Sequence, residues 1–88
     1  MKRSKDFELV NIADEHLAVP VGEKASTFRG VVTLTEAASF LLAHITEDVN
    51  SDDLVSMLVE NYEVDIETAQ KDVLEFIKQM ETIGLFVQ

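Results

Sequence analysis

The spacing of apolar residues changes near residue 35. Before it, apolar positions come in short runs: Phe7, Leu9 and Val10, then Leu17, Val19 and Val21, then Val31, Val32 and Leu34. Short apolar runs bounded by turn-forming residues read as strands. After it, apolar residues recur at three- and four-residue intervals, the period of helices that bury one face. The pattern predicts an α+β domain in which a three-stranded antiparallel β-sheet is followed by three helices, in a winged helix-turn-helix-like order.

Residues 7–12 and 16–21 are expected to form a hairpin, with Ala13, Asp14 and Glu15 as its turn. In the second strand Leu17, Val19 and Val21 alternate with Ala18 and Pro20, the pattern of a half-buried strand. Pro20 has no N–H to give to a ladder, so pairing weakens there, and Gly22 ends the strand. Residues 22–30 read as a loop in which Phe28 covers the edge of the core and Gly30 permits a turn. Residues 31–34 are the third strand.

Thr35 is the expected N-cap of the first helix, with Ala37, Phe40, Leu41 and Ile45 inward. Asn50, with Asp53 three residues on, opens the second helix as a variant of the capping box, and Leu54, Val55, Leu58 and Val59 form its buried stripe. Asp65 caps the third helix, where Ile66, Ala69, Val73, Phe76, Ile77, Met80 and Ile83 share one broad face. Gly84 is the expected stop. The apolar tail Leu85, Phe86 and Val87 has to pack back or pair. Residues 1–6 read as a flexible N-terminus and residues 7–88 as a single domain.

Composition narrows what such a domain can do. Eighty-eight residues that are 47% hydrophobic support one small core and exclude a mainly disordered chain. The absence of Cys removes disulfides, thiolate metal sites and Cys nucleophiles together. No apolar run approaches a membrane span or a signal peptide, so a cytoplasmic location and no membrane partner are expected. With 17 acidic and 7 basic residues the net charge is -10, a field that repels phosphate backbones, so no nucleic-acid partner is expected.

The catalytic inventory is thin. Gly22, Gly30 and Gly84 make no phosphate loop. His16 reads as a strand residue and His44 lies near the end of a helix, with no carboxylate at helical spacing before His44 to make a ligand pair. Acidic pairs such as Glu47 with Asp48 and Asp52 with Asp53 sit at helix starts, where they complement the dipole. No enzyme activity, cofactor or metal site is expected. A winged-helix nucleic-acid binder is disfavoured because the third helix sets Glu67, Asp72, Glu75 and Glu81 against Lys71 and Lys78. An acyl carrier protein needs an Asp-Ser-Leu start for its prosthetic arm, and here Ser51 lies between Asn50 and Asp52. A protein–protein adaptor of other specificity is compatible with the same residues.

A small sheet beside helices keeps a free strand edge, the geometry that captures an extended peptide. On the third helix Leu74 lies about 110° from the core face by the helical rotation per residue. Lys71 and Lys78 flank it at i−3 and i+4. With Arg29 just before the third strand, these residues form a candidate peptide-contact stripe.

Three segments carry a family resemblance: Leu17-Ala18-Val19-Pro20-Val21-Gly22-Glu23-Lys24-Ala25, then Phe28-Arg29-Gly30-Val31-Val32-Thr33-Leu34-Thr35-Glu36, then Tyr62-Glu63-Val64-Asp65 with Ala69, Asp72, Val73, Phe76 and Ile77. In this order and spacing, over residues 7–86, the chain resembles the PqqD-like family. These are small recognition elements, here read as stand-alone, for ribosomally synthesised and modified peptides. The resemblance implies a non-catalytic module that captures the leader segment of a precursor peptide by strand addition. The leader would lie along the third strand, in the groove against the third helix. A separate modifying enzyme, such as a radical SAM maturase, a cyclase or a leader peptidase, would then act on the presented peptide. It further implies Gly30, Val31, Val32, Thr33 and Leu34, with Arg29, as the docking edge, and Lys71, Leu74 and Lys78 as groove wall. The chain departs from the family at Thr35, where Asn is frequent, and in lacking the Trp often found on the first helix, with Leu41 and Leu42 in that region.

Overall fold

The computed structural model describes residues 1–87. Its central sheet has the order β2-β3-β4 and is antiparallel throughout, with β2 at Phe7–Ile12, β3 at Glu15–Pro20 and β4 at Val32–Leu34. The helices after it are α2 (Glu36–His44), α3 (Ser51–Asn61) and α4 (Ile66–Ile83). The expected sheet and helical trio are present. Added to them are a one-turn helix α1 (Lys24–Thr27) inside the predicted loop and a small ribbon pairing β1 (Lys2–Arg3) with β5 (Phe86–Val87).

The hairpin is tighter than expected. Ile12 pairs with Glu15, so the loop is Ala13 and Asp14 alone, and Glu15 belongs to the strand. Ala13 takes φ 56°, as a two-residue hairpin turn of the mirror-image types requires at its first position. An L-alanine there carries the steric cost of left-handed backbone. Replacing it with glycine (Ala13→Gly) should raise stability by about 0.5–1 kcal/mol, read as a higher urea midpoint; a lower midpoint would contradict this turn geometry.

The core lies between one sheet face and the helices. Phe7, Ala18 and Leu34 are buried on that face, with Leu9 and Val32 packed against them. The half-buried pattern of β3 thus holds with its sides reversed. Ala18 is the buried residue, and Leu17 and Val19 lie half-buried on the opposite face. Phe28 covers the core edge as expected, its ring edge-on to Phe7 at 5.3 Å. Leu41, Leu42, Ile45, Leu54, Leu58, Ala69, Val73 and Met80 fill the helical side. Two residues read as core are instead exposed: Val59 at 41% and Ile66 at 59%. Val59 lies in the last turn of α3 and Ile66 is the first residue of α4.

The helix ends follow from local chemistry. The Ala38 N–H donates to Thr35 Oγ1 at 3.0 Å. Asn50 and Asp53 cap each other's main-chain N–H groups, both at 3.0 Å, completing a capping box. The Thr68 N–H donates to Asp65 at 2.8 Å, and this main-chain bond holds the Asp65 carboxyl below its ordinary range. That capping is present above the unfolded carboxylate pKa and fades only as pH falls through the lower folded value. At the other end of α4, Gly84 adopts φ 93°. Its N–H donates to the Glu81 carbonyl at 3.2 Å, and the Leu85 N–H donates to the Met80 carbonyl at 2.8 Å, the paired bonds of a Schellman stop.

The segment read as a flexible N-terminus has defined partners. Lys2 and Arg3 pair with Val87 and Phe86. The Ser4 N–H donates to the Leu85 carbonyl at 2.7 Å, and Arg3 Nη1 donates to the Leu42 carbonyl at 2.8 Å. The Met1 amino group pairs with Asp48, whose carboxyl is held below its ordinary range by that bond. The tail 85–87 therefore does pair back, as its apolar character requires, with Leu85 and Phe86 buried.

A candidate peptide-binding groove on the β4 edge

The direction of each main-chain group on β4 follows from one hydrogen bond. The Val21 N–H donates to the Asp6 carbonyl at 2.8 Å, in register with the pairing of Phe7 with Pro20. Hydrogen-bonded and non-bonded pairs alternate in an antiparallel ladder. Residues 15, 17, 19 and 21 therefore point their main-chain groups at β2, and residues 16, 18 and 20 point theirs at β4. His16 pairs with Leu34 and Ala18 with Val32. Val32 and Leu34 are thus committed to β3, and the N–H and C=O of Thr33, with the C=O of Val31, face outward from the sheet.

The same register explains why β4 is short. The next pair would set Pro20 opposite Gly30, and Pro20 lacks the N–H that this pair needs. The ladder stops at Val32, so Val31 lies outside the strand, half exposed at 50%. The expected strand 31–34 is corrected to Val32–Leu34. Gly30 has φ 83° and open space around it, and Arg29 is exposed on the approach.

Beside this edge runs a groove of about 440 Å³, lined by Val32 and Thr33 on one side and Lys78, Gln79, Met80, Thr82 and Ile83 of α4 on the other. A second hollow of about 540 Å³ adjoins it through Lys78 and Gln79 and adds Lys71, Leu74 and Glu75. Further along, Asp72, Glu75, Phe76 and Gln79 of α4 face Thr35, Ala37, Ala38 and Leu41 of α2. Leu74 is 66% exposed, an aliphatic side chain on open surface between two lysines.

The structure therefore brings Val32, Thr33 and Lys78 together in one groove, and sets Lys71, Leu74 and Lys78 around an adjoining open hollow on the surface of α4. Arg29, Gly30 and Val31 lead up to the edge. Leu34 has its side chain in the core and its main chain turned to β3. Gln79, Thr82 and Ile83 were missed as groove walls. Gln79 and Thr82 look like ordinary solvated positions, and Ile83 reads as core; only the register of α4 against β4 singles them out.

Nothing in the histidine environments suggests chemistry. His16 Nδ1 lies 2.8 Å from Asn11 Oδ1 and His44 Nδ1 lies 2.8 Å from the Phe40 carbonyl. Among the described residues no cluster of His, Cys, Asp or Glu could hold a metal ion, and no helix is long and apolar enough to cross a membrane.

The family model for coenzyme PQQ synthesis protein D (PqqD) matches residues 12–85, a span that contains the whole groove. The chain belongs to the PqqD family. Two solved structures share the fold of this PqqD-family chain. TbiB1 in complex with the TbiA(beta) leader peptide superimposes with a TM-score of 0.75 at 19% identity, covering 100% of both chains. A lasso peptide synthetase B1 complexed with the leader peptide gives a TM-score of 0.76 at 11% identity, covering 99% of this chain and 96% of the other. No curated protein matches the chain significantly.

Proposed function

We propose that this domain binds the leader segment of a ribosomally synthesised precursor peptide and presents it to a separate modifying enzyme, without doing chemistry itself. The observation that carries the reading is the open β4 edge, where Thr33 turns its main-chain donor and acceptor outward beside a groove walled by α4. An extended chain laid there gains hydrogen bonds from the edge and side-chain contacts from the wall. The reading is supported by family membership and by two structures of the same fold solved with leader peptides.

The test is an amide chemical-shift titration with synthetic leader segments of precursor peptides encoded near the gene. Shifts should concentrate at residues 31–33 and along α4 from Lys71 to Ile83. Leu74→Asp should weaken binding about tenfold, the loss of one aliphatic contact, with the rest of the spectrum unchanged because Leu74 lies outside the core. Binding that is insensitive to Leu74→Asp, with shifts on another face, would move the site elsewhere.

A further inference from the structure

The groove beside β4 has no carboxylate in its lining, although the chain carries 17 acidic residues. Its charged residue is Lys78. Lys71 lies about 10 Å further along the axis, two helical turns away, with exposed Leu74 between them. Both lysines have carboxylates at helical spacing: Glu67 and Glu75 four residues either side of Lys71, and Glu75 and Glu81 three residues either side of Lys78. Such pairs contribute little on an exposed helix, so they compete weakly with a ligand carboxylate. Among the described residues the ion pair present is Met1 with Asp48, and Glu75 instead accepts from Gln79 Nε2 at 3.4 Å. Asp72 and Glu75 line the hollow facing α2, and Glu75 also borders the hollow of Lys71, Leu74 and Lys78. The stretch of α4 that is cationic without a carboxylate is the one at Lys78 beside Val32 and Thr33.

Resting on the leader-peptide reading, we propose that the groove selects segments in which an aliphatic side chain is separated by one residue from a carboxylate. The aliphatic group lies on Leu74 and the carboxylate reaches Lys78. The spacing fits. Leu74 and Lys78 are about 6 Å apart on one helix face, and side chains on one face of a strand repeat at about 6.6–6.8 Å. A lysine in place of the carboxylate meets Lys78 and is rejected, and the net charge of -10 makes a general preference for acidic peptides no explanation.

The experiment uses an array of ten-residue synthetic peptides with Leu at one place and Glu, Gln or Lys two residues on, the other positions varied among Val, Thr, Ser and Tyr. Members that bind are titrated at low and high salt while shifts at residues 31–33 are followed. Glu peptides should bind about fivefold tighter than their Gln partners, as expected for one partly exposed charge pair, and tighter still than the Lys forms. Lys78→Gln should remove the preference and Lys78→Glu should reverse it. Equal affinity for Glu and Gln peptides, with shifts still at residues 31–33, overturns the charge selection and leaves leader binding standing. If no peptide shifts residues 31–33, the reading of β4 as a docking edge falls as well.

Discussion

Thr33→Pro should abolish most peptide binding while leaving the domain folded. Thr33 is the one residue of β4 whose N–H and C=O both face the open edge, because Val32 and Leu34 spend theirs on Ala18 and His16. Proline removes the outward donor and puts a ring where the added strand must lie. A docked peptide then keeps an unsatisfied carbonyl, a cost of about 2 kcal/mol or roughly thirtyfold in affinity. An edge position whose N–H points to solvent tolerates proline, so the unfolding midpoint should move little. Val32→Pro gives the contrast, since it removes a bond to β3 and should destabilise the sheet. Wild-type affinity in a folded Thr33→Pro variant would mean that the peptide does not add to β4.

Phe86→Ala should cost about 3–5 kcal/mol of stability. Phe86 is 6% exposed, stands edge-on to Phe76 at 5.5 Å and pairs through its main chain with Arg3. Truncation removes a ring contact and leaves a cavity beneath the terminal ribbon. That is a large share of the roughly 5–15 kcal/mol that holds a domain of this size. Urea unfolding with an unchanged slope would read the loss directly, and Val59→Ala, at an exposed site, should stay within about 0.5 kcal/mol. A loss below about 1 kcal/mol would make the tail peripheral to the core.

Features written in local chemistry were legible in the residues. Thr35, Asn50 with Asp53, Asp65 and Gly84 each act through a bond to the main chain a few residues away, and each does so here. Features that depend on distant neighbours were not. Val59 and Ile66 continue the helical period, but the period does not say where the packing partner ends. The shortening of β4 came from Pro20, through a register that sequence spacing does not display. Residues 2 and 3 form a strand only because the tail 86–87 lies beside them, and a two-residue strand has no periodicity to read. The candidate site divides the same way. Leu74 is visible as an apolar residue off the core face, whereas Gln79 and Thr82 become walls only once α4 is set against β4.

The brevity of β4 has a consequence for whatever acts on a bound peptide. A three-residue edge grips about 10 Å of extended chain, so most of a precursor is left outside the grip as a tether. A flexible tether of 20 residues has an end-to-end distance of about 25 Å, growing as the square root of its length. On the proposed function, a modifying enzyme meets the tethered target most often when its catalytic centre lies at about that distance from Thr33. Lengthening the leader between grip and target would widen the reach only slowly.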